Sequence, residues 1–291
     1  MKEKTVLLGE SKNLVGVVTN PLPEFQGQDR PAIILLNSGL LHRVGPNRVY
    51  VKLARKLAED GFIVLRFDLS GIGDSRVPND GQTYDESARV IKDIQDVMDY
   101  LSATRGARKF ILMGLCSGGS NAFRAACHDE RVVGVNLIEG FAFPSTGYFA
   151  SSYSSSFLSL RSWRRLFTGE SEVWGLLRGL FKFHTSKQTR QLSENLHVPS
   201  KESLLADFNK LLKRKVNLYF ICTDIGAAYY NYKAIFEAEF ERVPAHQKPR
   251  LEIVKDTDHL FTLLHHQEML IKLVRNWAGD FVENEKVSEV V

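Results

Sequence analysis

The chain has 291 residues, of which 44% are hydrophobic. This length suits one large α/β domain with an insertion, or two small domains. No segment approaches the ~18 consecutive apolar residues of a membrane span, and the opening MKEKTVLLGE lacks the apolar run of a signal peptide. We therefore expect a cytoplasmic protein with no transmembrane segment. The three cysteines have no C-x-x-C spacing, which predicts free thiols.

The positive charge of the chain is concentrated in one segment. The formal net charge is +4, but residues 151–190 hold seven Lys and Arg against two Glu, a local net charge of +5. Such an excess predicts either a solvated helix face or a surface for an anionic substrate, a membrane or nucleic acid. No nucleic-acid-binding motif accompanies it, so we expect no nucleic-acid partner.

Short β-rich segments alternate along the chain with helical patterns. Strand candidates lie, in chain order, at 13–19, 31–37, 62–68, 109–115, 132–138, 216–223 and 250–254. Apolar residues recur at helical spacing over 49–57 and 90–101. This alternation predicts an α/β fold with a mostly parallel central sheet flanked by helices, whose ligands bind at the carboxyl edge of the strands.

The alternation stops between about residues 142 and 210. A Ser-rich stretch at 151–156 is followed by two amphipathic patterns with aromatic stripes. We predict a helical cap at 142–210, a core domain formed by 1–141 and 211–282, and a flexible acidic tail at 283–291. The aromatic side chains of the two stripes are Trp163, Phe167, Trp174 and Phe181.

The segment KFILMGLCSGGSNAFRAA, residues 109–126, leads from a predicted strand into a predicted helix through a corner of small residues. A nucleophile on such a sharp turn needs small residues two positions before and two after it. Gly114 and Gly118 bracket Cys116 in this way, whereas Leu115 would crowd a turn centred on Ser117. Cys116 is therefore the predicted nucleophile, and the backbone N–H of Ser117 is a predicted oxyanion donor.

At this corner the sequence resembles the α/β-hydrolases, over most of the chain except the insertion. The segment ILLNSGLLHRVGP is similar to the family's His-Gly-x turn, although Ser38 replaces its histidine, and the resemblance implies that Leu40 gives the second oxyanion N–H. The segment RFDLSGIGDS is similar to the family's D-x-R-G-x-G-x-S turn, where Asp68 and Gly73 have a structural role.

The remaining members of a catalytic triad follow in the order nucleophile, acid, histidine that the resemblance implies. Asp224 ends the strand candidate VNLYFICT, and His259 follows RLEIV. Asp256 and Asp258 are alternatives to Asp224, but we expect residues so near His259 in sequence to point away from its ring. His259 would take the proton of Cys116, and Asp224 would fix its tautomer.

The G-x-C-x-G arrangement around Cys116 is similar to that of dienelactone hydrolases and polyhydroxyalkanoate synthases. The combined motifs most resemble those of the exosortase-system-associated hydrolases. The resemblance implies an ester or thioester hydrolase working through an acyl-cysteine. Acyl transfer from a CoA or carrier-protein thioester and a non-catalytic hydrolase-like binding protein are the alternatives. We expect no cofactor and no metal, and the sequence does not predict an oligomeric state. The predicted substrate contacts are His42, Trp163, Phe167, Trp174, Phe181, Arg164 and Arg165.

Overall fold

The computed structural model describes residues 2–25, 28–78, 85–141, 200–224 and 227–288. Its strands are β1 (Lys2–Leu8), β2 (Leu14–Asn20), β3 (Ala32–Leu36), β4 (Val64–Phe67), β5 (Phe110–Leu115), β6 (Val132–Ile138), β7 (Asn217–Thr223) and β8 (Arg250–Val254). Its α-helices, numbered within the described residues, are α1 (Val49–Glu59), α2 (Glu86–Arg105), α3 (Ser117–His128), α4 (Lys201–Lys213), α5 (Ala227–Ile235), α6 (Glu237–Arg242) and α7 (Leu264–Ser288). Short 3-10 helices occur at Pro23–Phe25, Pro46–Arg48 and Ala245–Gln247.

The strands form one sheet in the order β1-β2-β4-β3-β5-β6-β7-β8. β2 pairs antiparallel with both β1 and β4, and every later pair is parallel. The predicted mostly parallel α/β sheet with flanking helices is thus confirmed. β1 was not among the predicted strands, because its charged residues Lys2, Glu3 and Lys4 conceal the apolar alternation of a strand at the sheet edge.

Apolar side chains bury both faces of the sheet. On one face, α2, α3 and α4 pack through Phe123 and Phe208, and on the other, α1 and α7 pack through Leu53 and Trp277. Residues of the central strand β5 are buried throughout, because helices cover it on both sides. This packing holds the carboxyl end of β5 in place, which is where the predicted nucleophile lies.

The predicted domain boundaries fall only in part on described residues. The predicted cap lies largely outside them, and its last part belongs to α4, whose Leu204 and Phe208 pack in the core. The predicted tail from 283 begins inside α7, which continues to Ser288. Among the described residues, no helix combines the length and apolar character needed to cross a membrane.

Candidate active site

The corner between β5 and α3 is a strained turn centred on Cys116. This residue has φ 58° and ψ −122°, a backbone conformation that costs a residue with a side chain about 1–3 kcal/mol. Its N–H donates to the carbonyl of Ile138 at 2.8 Å, and its carbonyl accepts from the N–H of Gly119 at 3.1 Å. The turn therefore presents the Cys116 side chain at the carboxyl edge of the sheet, next to the end of β6.

The two bracketing glycines are required by close backbone contacts. A Cβ on Gly114 would lie 2.5 Å from the carbonyl carbon of Gly118, and a Cβ on Gly118 would lie 2.6 Å from the carbonyl oxygen of Asn37. Atoms cannot approach so closely, so neither position accepts a larger residue without moving the backbone. The spacing that selected Cys116 over Ser117 in the sequence therefore has a steric cause in the structure.

Ser117 connects this turn to the loop after β3. Its Oγ accepts a hydrogen bond from the N–H of Gly39 at 2.8 Å, and its own N–H helps to lower the pKa of the Cys116 thiol. Among the described residues, the N–H of the neighbouring Leu40 has no partner. The Ser117 side chain thus connects the predicted donor loop, Gly39 and Leu40, to the predicted nucleophile turn. From the sequence, only the backbone N–H of Ser117 was expected to have a role.

His259 lies between Cys116 and a buried carboxylate. Its Nδ1–H donates to Oε2 of Glu139 at 2.8 Å, and its ring is close enough to the Cys116 thiol to shift the pKa of that group. The side chain of Glu139 is fully buried, and its Oε1 accepts from the backbone N–H of Thr223. Because both carboxylate oxygens are engaged, the imidazole is held in the tautomer whose Nε2 can exchange a proton with sulfur.

The pKa values of the pair shift in opposite directions. The hydrogen bond from His259 lowers the pKa of the Cys116 thiol, more than burial raises it. The pKa of His259 is raised to about 10 by its hydrogen bonds to Cys116 and then to Glu139. Both shifts favour the thiolate–imidazolium form of the pair over the neutral thiol and imidazole. In contrast, burial raises the pKa of the free thiols Cys127 and Cys222.

The prediction of Asp224 as the partner of His259 must be corrected to Glu139. Asp224 directly follows β7, and its N–H donates to the carbonyl of Val254 at 3.2 Å, but its buried Oδ1 has no hydrogen-bond partner among the residues that the structure describes. The parallel order β5-β6-β7 places the end of β6 between the nucleophile strand and Asp224. Glu139, the first residue after β6, is therefore the carboxylate that reaches the imidazole.

The sequence did contain a signal for Glu139. Glu139 directly follows the strand candidate at 132–138 and precedes Gly140, just as Asp224 directly follows the candidate at 216–223. Glu139 also has a positive φ of 52°, which indicates a constrained turn at the site. Of the other rivals, Asp258 accepts hydrogen bonds from the N–H groups of Leu260 and Thr262 and so stabilises the turn after His259.

His42 and Arg43 belong to an ionic network below the donor loop. Nη1 of Arg43 lies 2.8 Å from Oδ2 of Asp74, 2.7 Å from Nε2 of His42, and in contact with the fully buried Asp68. Asp68 also accepts from the N–H of Arg43 at 2.6 Å. Although His42, Asp68 and Asp74 lie close enough to hold a metal ion, the guanidinium already occupies the space between them. The network ties the donor loop to the turn at Asp68–Ser75.

The predicted contacts in the cap cannot be placed, because they lie outside the described residues. These are Trp163, Phe167, Trp174, Phe181, Arg164 and Arg165. They remain predictions, as does a substrate contact by His42.

Comparisons with known proteins support the fold. Residues 31–165 match the profile of a family described as the alpha/beta hydrolase fold. A search of curated protein sequences gives no match. Among solved structures, an alpha-beta serine hydrolase homologue from Coxiella burnetii is 14% identical with a TM-score of 0.55, and the alignment covers 94% of this chain and 97% of that one.

Two further solved structures are similar over nearly their whole length. The carboxylesterase CesB from Bacillus subtilis is 17% identical with a TM-score of 0.55, and 94% of this chain and 90% of that one are covered. Dienelactone hydrolase from Anabaena variabilis is 16% identical with a TM-score of 0.54, with 95% of each chain covered. At these identities the likeness establishes a shared fold.

Proposed function

We propose that this chain, which has the α/β-hydrolase fold, hydrolyses carboxylic esters or thioesters through an acyl-enzyme intermediate on Cys116. The observation that carries the proposal is the position of His259 between two groups: its ring lowers the pKa of the Cys116 thiol, and its Nδ1–H donates to Glu139 at 2.8 Å. A thiol, an imidazole and a carboxylate joined in this order form an activated nucleophile with its base and its orienting acid.

Acylation begins from the thiolate–imidazolium pair. The Cys116 sulfur attacks the substrate carbonyl carbon, and the electron pair of the C=O bond moves to oxygen. The N–H groups of Ser117 and Leu40 are the donors that would stabilise this oxyanion. When the tetrahedral intermediate collapses, the bond to the leaving group breaks, and His259 gives its Nε2 proton to the departing alkoxide or thiolate.

Deacylation uses the same groups in reverse. His259, now neutral, takes a proton from water, and the resulting hydroxide attacks the acyl carbon of the Cys116 thioester. Collapse of the second tetrahedral intermediate releases the carboxylic acid and restores the thiolate next to the imidazolium. Glu139 accepts the hydrogen bond from Nδ1–H of His259 and stabilises the imidazolium each time it forms.

Hydrolysis of a panel of p-nitrophenyl esters and acyl thioesters tests the proposal. We expect Cys116→Ala to abolish turnover, while Cys127→Ala, which removes a buried thiol on α3, leaves it unchanged. Both variants should give the circular dichroism spectrum of the native protein. Full turnover in Cys116→Ala together with its loss in Ser117→Ala would refute the assignment of the nucleophile.

Acyl transfer is the second candidate, and the net charge of +5 over residues 151–190 favours it. An acyl-cysteine is itself a thioester, so it forms from a CoA or carrier-protein donor at little thermodynamic cost. The basic segment suits the phosphates of such a donor. Changing Arg164 and Arg165 to Glu should raise KM for an acyl-CoA at low salt and leave a small neutral ester unaffected. Equal kinetics for both substrates at all salt concentrations would remove the support for this candidate.

A further inference from the structure

A tyrosine outside the proposed triad lies beneath the nucleophile turn. Tyr50 is the second residue of α1, and only 1% of its surface is exposed. Its ring packs on Gly45, where an added Cβ would lie 2.6 Å from the ring Cγ. Its N–H donates to the carbonyl of Val44 at 3.2 Å. The backbone and the ring of Tyr50 are therefore both fixed against Val44 and Gly45, in the short segment that follows the donor loop.

The hydroxyl of Tyr50 completes the hydrogen bonding of β5. The N–H of Leu115 donates to this hydroxyl oxygen at 2.7 Å, in a buried position. Successive N–H groups of a strand point to opposite neighbours. Because the N–H of Cys116 points to β6, that of Leu115 points toward β3. β3 has already ended there, since its last residue, Leu36, pairs with Gly114.

A buried N–H without a partner is strongly disfavoured, so the Tyr50 hydroxyl takes the place of the missing strand carbonyl. The peptide that it holds is the one that leads directly into the strained backbone of Cys116, with φ 58° and ψ −122°. A turn of this kind persists only where its surroundings restrain it. The anchor at Leu115 is thus one of the restraints on the direction of the Cys116 side chain.

We propose that Tyr50 is a positioning residue for the nucleophile: by holding the N–H of Leu115, it keeps the Cys116 sulfur aligned with His259 and with the N–H of Ser117. The inference rests on the proposed function, because it assumes that Cys116 reacts. Burial raises the pKa of Tyr50, so its hydroxyl remains neutral, and the nearby Cys116 raises it further. The hydroxyl is thus an uncharged acceptor close to the sulfur.

The test compares Tyr50→Phe with Tyr219→Phe. Tyr219 is also fully buried, but its hydroxyl has no hydrogen-bond partner among the described residues, so its loss controls for removal of a core hydroxyl. For each variant we would measure the melting temperature, the kcat for a p-nitrophenyl ester, and the pH dependence of iodoacetamide alkylation at Cys116, resolved by peptide mass.

Tyr50→Phe should raise the apparent pKa of the Cys116 thiol and lower kcat roughly tenfold with little change in KM, whereas Tyr219→Phe should match the native protein. Incorporation of 3,5-difluorotyrosine at position 50, which keeps the hydroxyl but weakens it as an acceptor, should move the alkylation profile in the same direction. It provides the test if Tyr50→Phe does not fold.

A lower melting temperature with an unchanged alkylation profile and unchanged kcat would reduce Tyr50 to a packing role and overturn the inference. Failure of the proposed function would be distinguishable, because Cys116→Ala would then retain turnover whatever residue stands at position 50.

Discussion

Replacing Glu139 with Gln removes the negative charge of the carboxylate that orients His259 and keeps nearly the same side-chain shape. In the native protein the Thr223 N–H donates to one carboxylate oxygen, and the other accepts from Nδ1 of His259. In the variant, the amide oxygen must remain on the Thr223 N–H, since the amide NH₂ cannot accept from it. The NH₂ group then faces His259 and donates to Nδ1, so the imidazole carries its proton on Nε2. In that tautomer it cannot accept the proton of Cys116.

The expected loss of activity follows from two effects of this substitution. The His259 pKa of about 10 depends on hydrogen bonds to both Cys116 and Glu139, so loss of the carboxylate lowers the population of the thiolate–imidazolium pair. The reversed tautomer then obstructs proton transfer. An amide in place of a triad acid lowers kcat by about 10⁴-fold in the well-known serine enzymes. Because a thiol ionises more readily than a hydroxyl, we expect a loss of roughly 10²- to 10⁴-fold here.

The assay is the release of p-nitrophenolate under single-turnover conditions, with Asp224→Asn as the matched carboxylate-to-amide control. The control should react at nearly the native rate, because Asp224 makes no contact with His259 that the described residues show. Native melting temperatures for both variants would exclude a loss of structure. Near-native acylation in Glu139→Gln with collapse in Asp224→Asn would refute the assignment and restore Asp224 as the acid.

Three further predictions concern the neighbouring geometry and its dependence on pH. Ser117→Ala removes the acceptor of the Gly39 N–H and should lower kcat more than it raises KM for an ester, while Ser117→Thr, which keeps the hydroxyl, should recover part of the loss; equal activity of both variants and the native protein would contradict this. The plot of kcat/KM against pH should have two limbs. Activity should rise at a pH below the ordinary thiol pKa of ~8.5, as the Cys116–His259 pair gains its thiolate, and fall near pH 10 as the imidazolium deprotonates. A single limb at the ordinary thiol pKa would contradict the ion pair. Burial raises the pKa of the Asp93 carboxyl, on α2, to about 6, so the folded state favours its protonated form. Its contribution to the free energy of unfolding, up to roughly 3 kcal/mol, is present below about pH 4 and is lost as the pH rises through 6. Denaturant titrations of Asp93→Asn should lack this slope, and a slope identical to that of the native protein would show that another group causes it.

The reactive turn could be predicted from the sequence because its constraint is local. Gly114 and Gly118 are four positions apart, and their close approach depends only on the turn between them. The positions of most strands were likewise predicted to within a few residues, since buried parallel strands appear as continuous apolar segments. The charged edge strand β1 lacks that signal and was missed.

The acid and the supporting residues depend instead on which elements become neighbours. Glu139 and Asp224 both follow strands, and only the order β5-β6-β7 decides which carboxylate lies closer to the nucleophile. Tyr50 lies 65 positions from Leu115 in the sequence, and nothing in a single chain shows that its hydroxyl meets that N–H. Such pairings arise from the packing of helices against the sheet, which sequence patterns describe only as a buried face.

The most direct test of the account is the location of the acyl group. The protein would be mixed with an activated ester, quenched in acid and digested with trypsin, and the peptide spanning residues 110–124, which contains both Cys116 and Ser117, would be fragmented in a mass spectrometer. A second sample would be treated with neutral hydroxylamine, which cleaves thioesters and leaves ordinary oxygen esters intact. We expect an acyl mass on Cys116 that hydroxylamine removes. A hydroxylamine-resistant acyl group on Ser117, or turnover with Cys116 never acylated, would contradict it.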